Sequence, residues 1–193
     1  MPRGQRSPRP DADVLERWQA ADGTQFALRP MRSDDAQREL EFVQSLSPQT
    51  RYERTFSHRG ALAPGELRKL IRFDVREEVA LVAVANPDAA GTFAAVARLK
   101  KVPGTDECEF AIVVADHWQH RGVGIRLLGK LLEVSQRAGI ARVIGYTFST
   151  NEAMKALARK AGFALRSDPA DPSVTRLEID LSMRQADAPA GAA

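Results

Sequence analysis

The sequence predicts an α/β domain of the α+β kind, with a mixed, mostly antiparallel central sheet flanked by helices. Three observations carry that expectation. Short β-rich runs alternate with helical periods along the body of the chain. A mostly apolar run from Cys108 to Val114 leads straight into a long amphipathic segment. Cap and turn residues stand where these elements must start and stop.

Taken in order, Gln25 to Arg29 is a short strand, and Ser33 is placed to cap a helix reaching Leu46, with Asp34 and Asp35 in its first turn. Ser47-Pro48 opens a second helix, proline being well suited to the first helical position. Pro64 to Phe73 reads as a third. Val79 to Ala85 and Gly91 to Lys101 are β-rich runs divided by the turn signal Asn86-Pro87-Asp88. After the break at Thr105-Asp106, Cys108 to Val114 is apolar enough for a strand covered on both faces. Ile125, Leu128, Leu131, Leu132 and Val134 then follow helical spacing within Arg121 to Ala138, and Gly139 supplies the stop. Val143 to Phe148 is a strand. Asn151 caps a helix with Glu152 early and Arg159 and Lys160 late, in line with the helix dipole, and Gly162 ends it. Val174 to Leu181 alternates as a last strand.

The 193 residues suit one domain spanning 21–183, with 1–20 as a flexible basic lead-in and 184–193 as a flexible tail. The net charge of +3 is accounted for by Arg3, Arg6 and Arg9; the rest carries 25 basic and 25 acidic side chains, so no nucleic-acid partner is expected. No apolar run approaches the roughly 18 to 20 residues of a membrane span, and the basic start is not followed by a secretory apolar stretch. The lone Cys108 cannot form an internal disulfide, which fits a reducing, cytoplasmic location. His58, His117 and His120 have no metal-ligand spacing, so no metal is expected.

The most informative stretch is Gln119-His120-Arg121-Gly122-Val123-Gly124, between the apolar strand and the long helix. Glycines remove side chains where a backbone must approach a ligand, and the free N–H groups of a helix start attract an anion such as a pyrophosphate. The same pattern also serves as a plain strand-to-helix turn. Two other phosphate motifs fail. Leu127 stands where a dinucleotide fingerprint needs its third glycine. Gly124 to Leu131 approaches a Walker A loop but lacks its final Ser or Thr and lies within the helical pattern.

Gln119 to Gly124 resembles the Q/R-x-x-G-x-G/A signature of the GNAT N-acetyltransferases, and Asn151-Glu152-Ala153-Met154 through Lys160-Ala161-Gly162-Phe163 resembles their N-x-x-A…K-x-G-F segment. Leu28-Arg29-Pro30-Met31 with Asp34-Asp35-Ala36 is similar to the family's first strand and helix entry, so the likeness spans about 25–181. Leu46-Ser47-Pro48, Arg51-Tyr52, Phe73 to Ala83 and Cys108 to Val114 are similar to the catalytic domain of Pat-type protein lysine acetyltransferases. Those enzymes often carry an added regulatory domain, for which this chain is too short. The resemblance implies acetyl-CoA as cosubstrate. Gln119, His120, Arg121, Gly122, Val123, Gly124 and Ile125 would hold its pyrophosphate; Ile112, Val113 and Val114 would meet the pantetheine arm through their backbone. Asn151 would cap its helix, contact that arm, or both.

An amine of reference pKa about 10.4 is neutral in only about one molecule in 2,500 at pH 7, a deficit of about 4.6 kcal/mol, so a base is the help most needed. Glu109 is the one acidic side chain within the apolar strand, where partial shielding raises a carboxyl, and the resemblance implies the general-base role for it. It also reads as a solvated glutamate at a strand start. Ala158 stands where many family members have an acid tyrosine, leaving the acid unassigned. Cys108, placed by strand alternation on the opposite face from Glu109, reads as a small buried hydrophobe. Asp74, Glu77 and Glu78 read as a charged loop or alternative bases. The expected activity is acetyl transfer to a protein lysine ε-amine. Small-molecule amine acetylation and non-catalytic acyl-CoA binding are the alternatives.

Overall fold

The computed structural model describes residues 13–55, 78–89 and 91–182. Eight strands form one sheet in the order β1-β2-β3-β4-β5-β6-β8-β7. They are β1 (Glu16–Gln19), β2 (Gln25–Pro30), β3 (Glu78–Ala85), β4 (Thr92–Lys101), β5 (Glu107–Val114), β6 (Arg142–Phe148), β7 (Ala164–Ser167) and β8 (Val174–Asp180). Every neighbouring pair is antiparallel except β5 and β6. A parallel pair needs a crossover, and the helix α3 (Val123–Arg137) supplies it. The other described helices are α1 (Ala36–Ser45), α2 (Pro48–Thr55) and α4 (Glu152–Ala161).

Alternation along the strands sorts the helices onto two faces. Val114 and Phe110 look toward α3 and α4: Val114 lies where a Cβ on Gly124 of α3 would be, and the Phe110 ring sits 4.9 Å from that of Phe163, just past α4. On the other face, Phe93 of β4 meets Phe42 of α1 and Arg98 of β4 pairs with Glu39 of α1. The core lies between, with Leu28, Leu81, Val96, Leu127, Leu131 and Leu177 essentially sealed from water.

Four expectations need correction. The lead-in is not unstructured to residue 20, because Glu16 to Gln19 pairs with β2; four residues with a single apolar side chain give too weak a pattern to announce an edge strand. The short strand β7 was likewise missed. The first helix starts at Ala36 rather than beside Ser33, because Asp35 is used elsewhere. And β5 is covered only in part on its second face, since Glu109 and Ala111 are exposed there while Val113 is buried. The helix expected over Pro64 to Phe73, the stretch holding Asp74 and Glu77, and the tail 184–193 lie outside the described residues.

Asp35, 1% exposed, takes two hydrogen bonds from the Arg29 guanidinium at 2.6 and 2.8 Å, one from the Arg32 N–H at 2.7 Å and one from Arg38 at 3.1 Å. Burial alone would raise its carboxyl, but these donors bring it below the ordinary value. It therefore stabilises the fold fully above the ordinary carboxylate pKa and progressively less as pH falls through its lowered one. Asp35→Asn leaves Arg29 buried without its anion and should cost about 3–5 kcal/mol in urea unfolding at pH 7. The gap from wild type should hold down to about pH 5 and narrow below about pH 4.

Candidate active site

The ladder between β5 and β6 stops early. Glu107, Cys108 and Glu109 pair with Arg142, Val143 and Ile144, and no pair follows, although both strands run on. At the next position the Phe110 ring leans onto Gly145, where an added Cβ would lie 2.4 Å from Cε1. From Phe110 to Val114, β5 keeps its antiparallel partner β4 on one side and has a free edge on the other. That edge faces a slot between diverging strands. At its far end the Gln119 amide donates to the Val114 carbonyl at 3.1 Å.

Beyond the slot the chain makes a 3-10 turn at Asp116–Trp118 and then the glycine turn. His120 and Gly122 both have positive φ, 58° and 80°. No neighbour would obstruct a side chain at Gly122, so it is the left-handed backbone that favours glycine there. Gly124 serves differently: a Cβ would lie 3.2 Å from Val114 and 3.4 Å from Leu157, so its absence lets the start of α3 settle between β5 and α4. The first helical bond runs from the Arg126 N–H to the Gly122 carbonyl at 3.3 Å, and no side chain caps the helix. The N–H groups of Val123, Gly124 and Ile125 are thus left at the positive end of a 15-residue helix. Arg121 lies over the Trp118 ring and pairs with Asp22 in the β1–β2 hairpin; Arg126 lies over Trp18 and pairs with Glu16 at 2.7 Å. His117 and His120 are exposed.

Helix α2 spans the same slot on the opposite face. Its start is bolted to Asp116, whose carboxylate accepts from the Ser47 N–H at 2.9 Å and from the Ser47 and Thr50 hydroxyls, both at 2.7 Å. Further along, Tyr52 stacks on Phe148 at 4.8 Å, Glu53 accepts from the Asn151 amide at 2.9 Å, and Arg54 pairs with the buried Glu39 at 3.4 Å. Asn151 also caps α4, its Oδ1 accepting from the Met154 N–H at 2.9 Å. Among the described residues no three His, Cys, Asp or Glu side chains gather as metal ligands, and no helix is long and apolar enough to cross a membrane.

Residues 25–164 match the acetyltransferase (GNAT) domain family. The chain belongs to that family. The acetyltransferase PA5475 of Pseudomonas aeruginosa is 30% identical over 150 residues, covering 78% of this chain and 81% of that one. The crystal structure of the GNAT domain of S. lividans PAT superposes with a TM-score of 0.73 at 27% identity, covering 91% of this chain and 99% of that one. A cAMP-binding acyltransferase from Mycobacterium smegmatis shares the fold at 24% identity and a TM-score of 0.57; 86% of this chain covers 46% of it.

A GNAT enzyme moves the acetyl group of acetyl-CoA to an amine, and this protein is an acetyl-CoA-dependent N-acetyltransferase. Around its slot, the structure brings together Glu109 at the closed end, Ile112, Val113 and Val114 along the free edge, the Gln119–Ile125 turn at the open end, and Asn151 beside β6. Glu109 is exposed rather than shielded by its own strand. Cys108 points into the other face, where burial raises its thiol pKa against the pull of Lys101. Sequence reasoning missed Glu53, Asp116, Tyr146 and Arg176. No local pattern marks them, because their contacts join residues 30 to 98 apart.

The Phe110–Gly145 contact predicts a coupled pair. Gly145→Ala should destabilise by about 1–3 kcal/mol, as overpacking does. In the Phe110→Leu background, which vacates the ring, the same change should cost clearly less in urea unfolding.

Proposed function

We propose that this GNAT enzyme acetylates lysine ε-amines on protein substrates by direct attack, with Glu109 as general base. The observation that carries the reading is the free edge of β5, which runs from the start of α3 to Glu109. An extended cofactor arm laid antiparallel on Ile112, Val113 and Val114 can take its main-chain hydrogen bonds there. Its pyrophosphate then meets the unused N–H groups of Val123, Gly124 and Ile125, flanked by Gln119, His120, Arg121 and Gly122. Asn151 has spent its carbonyl on the α4 cap and one amide hydrogen on Glu53. Its second amide hydrogen remains for a carbonyl of the arm.

The five residues from Val114 to Phe110, four steps of strand, cover roughly 13 Å, and the slot ends where β5 and β6 rejoin at Glu109. The thioester therefore arrives beside the carboxylate. Glu109 faces α1 and α2 rather than α3, so a lysine entering from that face meets the base and the acetyl carbon together. The bound arm supplies the shielding that the strand alone does not. A main-chain N–H near Val114 is the candidate oxyanion donor. Support for a protein acceptor comes from the Pat-like stretches of sequence and the 27% identity to the S. lividans PAT domain.

Incubation with acetyl-CoA, lysine peptides and small amines, read by mass, should give acetyl-lysine as the main product; preferential modification of a polyamine or aminoglycoside would replace the lysine assignment. Glu109→Gln should leave the calorimetric Kd for coenzyme A within about twofold and lower kcat by about 100-fold or more. A wild-type kcat in that variant would remove Glu109 from the base role.

A further inference from the structure

The leaving coenzyme A thiolate needs a proton, and Ala158, fully buried in α4, has none to give. From the slot's own geometry we infer that Tyr146 of β6 is the acid that protonates the departing sulfur. This rests on the reading of the slot as the seat of the pantetheine arm.

Tyr146 stands two residues beyond Ile144, the partner of Glu109 in the last pair before the strands part. Alternation puts Ile144, Tyr146 and Glu109 on the same face of the sheet. A strand separation of ~4.8 Å at the last pair and an advance of ~6.6 Å along β6 put the Glu109 and Tyr146 Cα atoms at least about 8 Å apart, the more so as the strands part, on opposite walls of the slot's inner end. A thioester between them has a carboxylate on one side and a phenol on the other.

The surroundings of the phenol suit donation. Tyr146 is half-buried, and its oxygen accepts from the Arg176 guanidinium at 3.4 Å. Among the described residues no carboxylate or carbonyl takes the Tyr146 proton itself. Arg176 is fixed in turn by Glu107 at 2.8 Å and by Glu178 at 3.5 Å. A guanidinium already held against the oxygen stabilises the phenolate that forms when the proton leaves.

The step balances. The amine nitrogen bonds to the acetyl carbon and the carbon–sulfur bond breaks, its electron pair staying on sulfur. Glu109 takes the proton from nitrogen, Tyr146 gives its proton to sulfur, and water returns the proton held by Glu109 to the phenolate. The net products are the acetylated amine and coenzyme A thiol.

Leaving-group dependence tests this. An oxygen-ester analogue of acetyl-CoA expels an alkoxide, far more basic than a thiolate and far more dependent on an acid. Tyr146→Phe should lower kcat about 10-fold with acetyl-CoA and about 100-fold or more with the oxygen ester, with coenzyme A affinity close to wild type. Equal losses with the two donors, or none, would overturn the proposal. If Tyr146→Phe loses cofactor affinity, Arg176→Gln decides on the same ratio: a greater loss with the oxygen ester supports the acid, and equal losses overturn it. Glu109→Gln, run beside it, reports on the base alone, so either assignment can fall while the other stands.

Discussion

The arrangement depends on the parting of two parallel strands after Glu109 and Ile144. A parallel ladder that continued would satisfy both edges and leave no opening. Here the Phe110 side chain lies across Gly145 at the next position, and only a residue without a Cβ leaves room for that ring. The free edge of β5 is costly when empty, since main-chain groups there forgo ladder partners. The cost is tolerable because the edge can be solvated through the slot, and because β4 holds β5 along its whole other side.

A slot between strands would be a weak point without something to hold its walls. Helix α2 does this from one face. Asp116 grips its start, and the carboxyl is held below its ordinary value because hydrogen bonds from Ser47 and Thr50 outweigh the opposing effect of burial. Stacking of Tyr52 on Phe148 and the bond from Asn151 to Glu53 join its end to the β6 wall. Under it, Glu39 is 1% exposed between Arg54 and Arg98; burial raises its carboxyl against the pull of the two cations. Such a cluster contributes little net stability, but it fixes where α1, α2 and β4 sit relative to one another. On the other face Gly124 brings α3 close enough to Val114 that the helix start and the free edge form one surface.

The charge around the glycine turn is arranged in two layers. The helix start offers a partial positive charge through fixed N–H groups, which need no reorganisation to meet an anion. Arg121 and Arg126 add full charges, but both are held by carboxylates of the β1–β2 hairpin. These pairs are exposed, so they are worth little and can be exchanged for phosphate oxygens at small cost.

Much of the fold was legible because it is written in local periodicity. Helices α2, α3 and α4, strands β2 to β6 and β8, the cap at Asn151 and the stops at Gly139 and Gly162 follow from apolar spacing and cap chemistry, which act within a few residues. The glycine turn was legible for the same reason, since a left-handed backbone and a bare helix start are local properties. The edge strands β1 and β7 were not, being too short to show alternation. Ser33 was misread because Asp35 is drawn into a buried bond with Arg29, which the linear order does not reveal. The sequence by itself therefore determined most of the elements, the turn and the family. Tertiary structure decided that β5 and β6 part, that Glu109 stays open to solvent, and that Glu53, Asp116, Tyr146 and Arg176 surround the slot. Those facts depend on side chains meeting across 30 or more residues, and no spacing within one element encodes them.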